Sequence, residues 1–210
     1  MVLYIFRSMR QRNNLIYCCC FLFLFSCEKK SENLIVSEVI NDSIIAKGLY
    51  NGNQKTGIWE YVDTNGQIFE IVEFKIIDNK SYYNQSVSFD KKGDTIHNKT
   101  SFFTFNFLND YLITIKFISL FDKYYDDQNG TVLLYSNQIN DDFSNLNKVK
   151  FDTVYLKNNF LKMNLKLNKL RGIIKEFHFD SDSSYISREV FIEIDENSKN
   201  FPILNNTGNM

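Results

Sequence analysis

The chain has 210 residues, of which 24 are basic and 25 acidic, so its net charge is −1 at pH 7. Proteins that bind nucleic acids use clustered lysine and arginine to displace counterions, and so balanced a composition predicts no nucleic-acid binding. Aromatic residues make up 16% of the chain, which is enough to build a core in one domain or in two small ones.

The first 26 residues have the layout of a secretory signal. Arg7, Arg10 and Arg12 precede the apolar run Leu15–Phe25, and the chain becomes charged at Glu28. The apolar run has 11 residues, whereas a helix needs roughly 20 to cross a bilayer. Three of the four cysteines are consecutive within this run, so their side chains diverge and predict no metal site. We expect residues 1–26 to be a signal peptide.

The fourth cysteine follows a recognisable motif. Leu24, Phe25, Ser26 and Cys27 resemble the lipobox of bacterial lipoproteins, in which a leucine lies three residues before the cysteine and a small residue lies next to it. The resemblance implies that Cys27 is acylated and becomes the first residue of the mature protein, held stably on a membrane by several acyl chains. Two alternatives are an ordinary signal peptide with a chance cysteine and a buried helix, and Met9 is a second possible start.

Removal of the signal changes the charge of the chain. Residues 1–26 contain three arginines and no acidic residue, which leaves 21 basic and 25 acidic residues and a net charge of −4. The mature chain also keeps no cysteine other than Cys27, so it has no intramolecular disulfide and must be stabilised by burial alone. By analogy with lipoproteins, Glu28 after the cysteine favours the outer membrane over the inner membrane.

The mature chain predicts an all-β fold that opens with an antiparallel meander. Stretches rich in β-branched and aromatic residues alternate with turn signals. Asn-Gly steps, which reach positive φ easily, occur at Asn51-Gly52, Asn65-Gly66 and Asn129-Gly130. We expect a tether over residues 27–33 and an antiparallel β region over residues 34–125. Apolar residues on both faces of residues 101–125 favour central strands there over a helix.

The second half of the chain predicts more β structure after a polar interruption. Residues 126–148 are expected to be a polar connection, and they are the boundary if the chain has two domains. Residues 149–197 are expected to be a C-terminal β region, possibly a second small sandwich-like part, and residues 198–210 a tail. Within that region, GIIKEFHFD and SYISREVFIEID alternate in polarity, which predicts strands with one face in a core and the other mostly in water.

The glycine-rich stretch GLYNGNQKTGIWEYVDTNG, residues 48–66, carries a second resemblance. It is similar to the short bacterial variants of the MORN repeat in the spacing of Tyr50, Gly57, Trp59, Tyr61, Asp63, Asn65 and Gly66. In FDKKGDT, 27 residues later, Asp90 and Gly93 are placed as Asp63 and Gly66 are, which gives a degenerate second copy and MORN-like hairpins over residues 48–93. Repeats of this kind need about three copies to be stable alone, so these hairpins must open a larger sheet.

The MORN resemblance implies roles for two groups of residues. The aromatic residues are expected to stack between hairpins or to contact a partner: Tyr50, Trp59 and Tyr61. The glycines are expected to permit tight turns: Gly48, Gly52, Gly57, Gly66 and Gly93. Proteins with such repeats are mostly associated with contacts to other proteins or to lipids.

Motifs for catalysis or for a cofactor are absent from the sequence. There is no G-x-S-x-G elbow, phosphate-binding loop or H-E-x-x-H helix, and the histidines His97 and His178 are interpreted as strand or turn residues. The acidic pairs Asp126-Asp127 and Asp141-Asp142 and the run DSDSS lack the spacing of a calcium loop and are interpreted as solvated. We predict no cofactor and no metal site.

The sequence therefore predicts a membrane-anchored envelope lipoprotein whose β-module binds or scaffolds another envelope protein. The alternative is an envelope enzyme or binding module that acts on glycan or peptide through a carboxylate pair or an aromatic platform. An open sheet edge favours the first interpretation and a cleft with two carboxylates the second.

Overall fold

The computed structural model describes residues 33–119, 130–165, 169–179 and 185–201. The described residues all belong to one unit. The predicted signal peptide, Cys27 and most of the expected tether lie outside the described residues. The described chain is almost entirely antiparallel β-structure, which confirms the predicted fold class.

The described residues form 12 strands in three sheets. The first sheet is a meander of β1 (Asn33–Asn41), β2 (Ile44–Asn51), β3 (Gln54–Asp63), β4 (Ile68–Ile77) and β5 (Lys80–Ser88) in chain order. The strands of the other two sheets are β6 (Phe102–Asn109), β7 (Leu112–Ile118), β8 (Gly130–Tyr135), β9 (Asp152–Tyr155), β10 (Phe160–Asn164), β11 (Leu170–Phe179) and β12 (Tyr185–Ile194). The second sheet has the order β10-β7-β6 and the third β12-β11-β8-β9. Single turns of 3₁₀ helix occur at His97–Lys99 and Leu146–Lys148.

The turns of the meander follow the predicted signals. Gly52, between β2 and β3, has φ = 65°, and Gly66, between β3 and β4, has φ = 79°. Asp78 and Asn79 connect β4 to β5 with φ = 47° and 59°, the pair of positive values that suits a two-residue hairpin. Gly130 begins β8.

The main core lies between the second and third sheets. Its fully buried members come from β7 of the second sheet and from β8, β11 and β12 of the third: Ile113, Ile115, Leu133, Ile174, Val190, Ile192 and Ile194. A second cluster joins the meander to the start of β6 and consists of Ile71, Val87, Phe89, Phe102 and Phe201. A third cluster covers the other face of the third sheet and consists of Ile139, Phe143, Ile173 and Phe191. Burial on both faces of the third sheet explains why β11 and β12 are so apolar.

Two side-chain amides form hydrogen bonds with backbone groups on the outer side of edge strands. Asn84 of β5 is fully buried, accepts a hydrogen bond from the N–H of Phe191 at 2.7 Å and donates to its carbonyl at 3.0 Å. Asn200 bonds the N–H and C=O of Phe105 in the same way, at 2.6 and 2.9 Å. An amide offers one acceptor and a donor, so it replaces a peptide group of a missing neighbouring strand.

Several expectations about the second half of the chain need correction. The polar connection expected over residues 126–148 contains β8, and its apolar residues Ile139 and Phe143 are buried because they cover the third sheet. The tail expected from residue 198 is held at its start, because Phe201 is buried against Phe102. The polar side of β11 that was expected in water is instead buried on the side of the main core, where Glu176 is 3% and His178 9% exposed. On β12, Phe191 of the side expected in water is buried in the third cluster.

The strands predicted within residues 101–125 are present as the β6–β7 hairpin, but the hairpin is not packed on two sides throughout. Phe103, Phe105, Ile113 and Ile115 face the main core, whereas Lys116 on the opposite side is exposed. Leu108 and Tyr111 at its turn are also exposed, by 48% and 63%.

Candidate functional site

The first strand of the meander is an open edge. β1 pairs with β2 over residues 33–41, and within the described parts of the chain no strand pairs with its other side. Alternate peptide groups of an edge strand point away from the sheet and can bind a strand from another chain. β1 therefore offers a row of backbone donors and acceptors.

The side chains of this edge are unusually apolar for an exposed strand. The exposed fractions are 60% for Leu34, 83% for Ile35, 74% for Val39 and 45% for Ile40. Natural proteins protect edge strands with lysine, proline, charges or bulges. β1 has no lysine and no proline, and its one bulge lies between Val39 and Asn41 near the end of the strand.

The exposed face of β1 continues a face that is buried elsewhere in the same sheet. Across the pairing register, Val39 lies beside Ile45, and Ile45 lies beside Val62. Val62 is 6% exposed, Ile45 36% and Val39 74%. The rest of the molecule covers this face over β3 to β5 and leaves it open over β1 and β2. The edge strand therefore belongs to a core face that lacks a cover at one end.

The opposite face carries the aromatic residues singled out in the sequence. Trp59 is fully buried, its ring makes edge-to-face contacts with Tyr50 at 5.3 Å and Phe74 at 6.2 Å, and its Nε1 donates to the carbonyl of Leu49 at 3.1 Å. The indole lies directly over Gly48, where a Cβ would come closer than 3.0 Å to it. Trp59 and Tyr50 therefore pack edge-to-face across the β2–β3 hairpin, and Trp59 presents no surface to a partner.

A lysine completes this aromatic cluster and neutralises the one acidic residue of β1. The Lys55 ammonium lies 4.0 Å from the Trp59 ring centre and 5.6 Å from that of Tyr61, distances at which cation–π attraction operates. It also forms an ion pair with Glu38 at 2.6 Å. Burial lowers the pKa of Lys55, but its interactions with Glu38 and Tyr61 outweigh burial and raise the pKa above the ordinary value. Because Glu38 is engaged, the edge of β1 carries no free charge.

Three of the predicted turn glycines lie in turns, namely Gly52, Gly66 and Gly93, whereas Gly48 lies within β2 and Gly57 within β3, so the turn role expected for these two is wrong. Gly52, Gly57, Gly66 and Gly93 have positive φ, and Gly57 adjoins the irregular register between β2 and β3. In the first copy, the Asp63 carboxylate accepts the N–H groups two and four residues on, and its carbonyl accepts the N–H of the glycine. Asp90 makes the same three bonds. The two loops, 27 residues apart, therefore share one hydrogen-bond pattern.

A cavity of 360 Å³ lies where the three sheets meet. Its lining is mostly apolar, with two carboxylates, Glu73 and Glu193, and two lysines. The Glu73 carboxylate accepts hydrogen bonds from the amides of Asn84 at 2.6 Å and Gln85 at 2.8 Å. Burial raises the pKa of Glu193, but hydrogen bonds from Lys169 and Arg171 outweigh it and leave the pKa below its ordinary value. Both carboxylates therefore have structural partners.

The histidines are not brought together. His97 is exposed in a 3₁₀ turn, and His178 is 9% exposed on β11 beside the buried Glu176, which accepts a hydrogen bond from the Ser119 hydroxyl. Among the residues that the structure describes, no group of three or more histidine, cysteine or acidic residues could hold a metal ion. In the same residues, no helix is long and apolar enough to cross a membrane.

Comparison with known proteins adds no family. No family model matches the chain. Neither the curated proteins nor the solved structures give a match. The lipoprotein and MORN resemblances therefore stay predictions, and the site has to be argued from its own chemistry.

Sequence reasoning placed the edge strand NLIVSEVIN, from its second residue on, in the β region that begins at residue 34 but did not single it out as a binding edge. Its signal was available as six strand-compatible apolar or hydroxyl-bearing positions with a single charge, directly after the expected tether. What the sequence could not give is its position at the end of the sheet, because strand order is a property of the tertiary structure.

Proposed function

We propose that this chain is an exported bacterial lipoprotein, anchored to a membrane through Cys27, whose β-module binds another protein by strand addition to β1. The open apolar edge of β1 carries this proposal. An added strand would satisfy the outward peptide groups of β1 and bury side chains that are now exposed by 45% to 83%.

The predicted anchor supports the same role. Cys27 and Asn33 are six residues apart, a length of chain that spans at most about 20 Å when extended. An acylated Cys27 would therefore hold the edge strand close to the membrane surface, where other envelope proteins are concentrated. The proposal also favours the outer membrane over the inner membrane as the place of the anchor.

The interior cavity gives the enzyme alternative little support. Glycoside hydrolysis by two carboxyl groups needs one of them to hold a proton at working pH, which requires a raised pKa. Glu193 has a lowered pKa, and the Glu73 carboxylate is occupied by hydrogen bonds from two amides. The two residues are better explained by their structural partners: Glu73 holds the amides of Asn84 and Gln85 on the neighbouring strand, and Glu193 pairs with Lys169 and Arg171.

The anchor and the binding edge can be tested separately. Cys27→Ser should end fatty-acid labelling and release the protein into the soluble fraction, whereas continued labelling and retention on the membrane would contradict the anchor. For the edge, Ile35→Lys/Val39→Lys places two charges on β1. We expect this double variant to capture less of the proteins that the wild-type chain captures from envelope extracts.

A matched variant controls for the added charge. Leu108→Lys/Tyr111→Lys changes two residues of similar exposure, 48% and 63%, at the tip of the β6–β7 hairpin. It should capture the same proteins as the wild type. Equal capture by the wild type and the β1 variant would contradict binding through this edge.

A further inference from the structure

The sequence of β1 is nearly the same in both directions about its central residue, Ser37. Leu34 and Ile40 lie three residues to either side, Ile35 and Val39 two, and the ends of the strand are both asparagine. Antiparallel neighbours pair residues whose numbers have a constant sum. Two copies of β1 that meet at Ser37 would therefore match Leu34 with Ile40 and Ile35 with Val39, and would place Val36 opposite Glu38.

From this self-complementarity we propose that the protein that adds to β1 is a second copy of this chain, paired antiparallel about Ser37. The inference rests on the proposed function and names its partner. A two-fold axis through Ser37 makes the same surface face itself, which is the requirement for a closed dimer. The two five-stranded meanders would join into one sheet of ten strands, within the usual size of open sheets.

The register places each exposed side chain on the correct face. An antiparallel pair keeps directly opposed side chains on the same side of the sheet. Ile35 of one copy would lie beside Val39 of the other, and Val39 beside Ile35, on the uncovered core face. The bulge of β1 starts after Val39, so the central pairs from Ile35 to Val39 have regular geometry.

Charge agrees with this register. Glu38 is the only charged residue of β1, and Lys55 and the Tyr50 hydroxyl already bind its carboxylate. In the proposed pairing Glu38 lies opposite Val36 of the second copy, so like charges do not face each other across the pair. An acidic or basic partner strand would find no free charge on β1 to recognise, which favours the second copy over a charged partner.

Cross-linking in isolated membranes tests the pairing with the full chain. Ser37 is exposed, and antiparallel pairing at the axis brings its two Cα atoms within about 4.5 to 5.5 Å, which a disulfide can bridge. Ser37→Cys should give a covalent dimer under mild oxidation, and Ser43→Cys, in the exposed β1–β2 turn, should not. Both variants are compared with the wild type and repeated with Cys27→Ser, so that Cys27 cannot account for the product.

Two further variants test the register. In the proposed pair, the two copies of residue 35 are about 14 Å apart along the strands, and so are the two copies of residue 39. Ile35→Cys and Val39→Cys should therefore stay monomeric when each is expressed alone and give a mixed dimer when they are expressed together. A dimer formed by Ile35→Cys alone would overturn the antiparallel pairing.

The outcomes separate this inference from the proposed function. If Ser37→Cys stays monomeric while Ile35→Lys/Val39→Lys still loses a captured protein, self-pairing is overturned and strand addition by another protein survives. If neither a dimer nor a capture is seen, both are overturned. A fluorophore can also be attached to the cysteine of the Ser37→Cys variant. If no dimer forms and the emission shifts when phosphatidylglycerol vesicles are added, the edge binds a lipid surface and self-pairing is overturned.

Discussion

Gly48 and Trp59 provide the sharpest quantitative test of the meander. A Cβ on Gly48 would come closer than 3.0 Å to the indole ring of Trp59. The ring has no room to move, because it is fully buried, contacts Tyr50 and Phe74 and is hydrogen-bonded to Leu49. We therefore expect Gly48→Ala to destabilise the wild-type protein by about 2 to 3 kcal/mol, the upper part of the range for overpacking.

The same substitution should have the opposite sign once the ring is removed. Trp59→Ala is expected to cost about 3 to 5 kcal/mol because it leaves a large cavity. In that background the Gly48→Ala methyl group enters the space of the ring, and the loss of glycine flexibility in the unfolded chain stabilises by about 0.4 to 1 kcal/mol. The coupling energy between the two sites is then about 3 kcal/mol, at the upper end of values for residues in contact.

The assay is a double-mutant cycle by urea unfolding at pH 7. Trp59 is the only tryptophan, so far-UV circular dichroism follows all four proteins, and Trp59→Leu replaces Trp59→Ala if the latter is unfolded without urea. Gly52→Ala is the matched control: Gly52 has φ = 65° and no atom within 4 Å of an added Cβ. Its cost, about 1 kcal/mol of backbone strain, should be the same in both backgrounds. An equal cost of Gly48→Ala in both backgrounds would refute the close approach of the indole to Gly48.

Three further predictions concern polar contacts. Asn84→Ala should lower the free energy of unfolding by about 2 to 4 kcal/mol in urea, because it leaves both backbone groups of Phe191 unsatisfied in a buried place. A clearly smaller cost for Asn84→Ser would mean that water reaches those two groups, which would contradict their burial. Backbone N–H groups, first that of Gln67, lower the pKa of Asp63, so its stabilisation is present above 3.8, the ordinary value, and is lost as pH falls through the lowered pKa. The melting temperature of Asp63→Asn should accordingly depend less on pH in this acidic range than that of the wild type, and parallel curves would contradict the contact. Lys55→Met keeps the packing of the stem but removes the ammonium over Trp59, and a loss of about 1 kcal/mol is expected; no change at low salt would contradict the cation–π contact.

The meander was predictable because its signals are local. A turn with Asp63 or Asp90 closes through bonds among five consecutive residues, and an Asn-Gly step needs only its own backbone freedom. Alternating polarity likewise reveals a strand without reference to any other strand. Strand content, hairpin positions and the repeated loop therefore follow from short segments of sequence.

Burial was predicted less well because it depends on distant residues. Ile139 and Phe143 lie in a stretch rich in asparagine and aspartate and looked solvated, yet they cover the third sheet. His178 and Glu176 alternate with Ile174 on a strand whose polar face was expected to be in water, and all three are buried. Local pattern gives the face on which a side chain lies, but not whether another element covers that face.

The amino-acid sequence by itself predicted the all-β class and the turns at Gly52 and Gly66, because each depends on residues close together in the chain. The tertiary structure decided which strand is left at the edge and which faces are covered. Whether Val39 is exposed depends on strand order and on where the other two sheets pack, and these arise from contacts between residues far apart in sequence. The open strand β1, on which the proposed function rests, is a result of that packing.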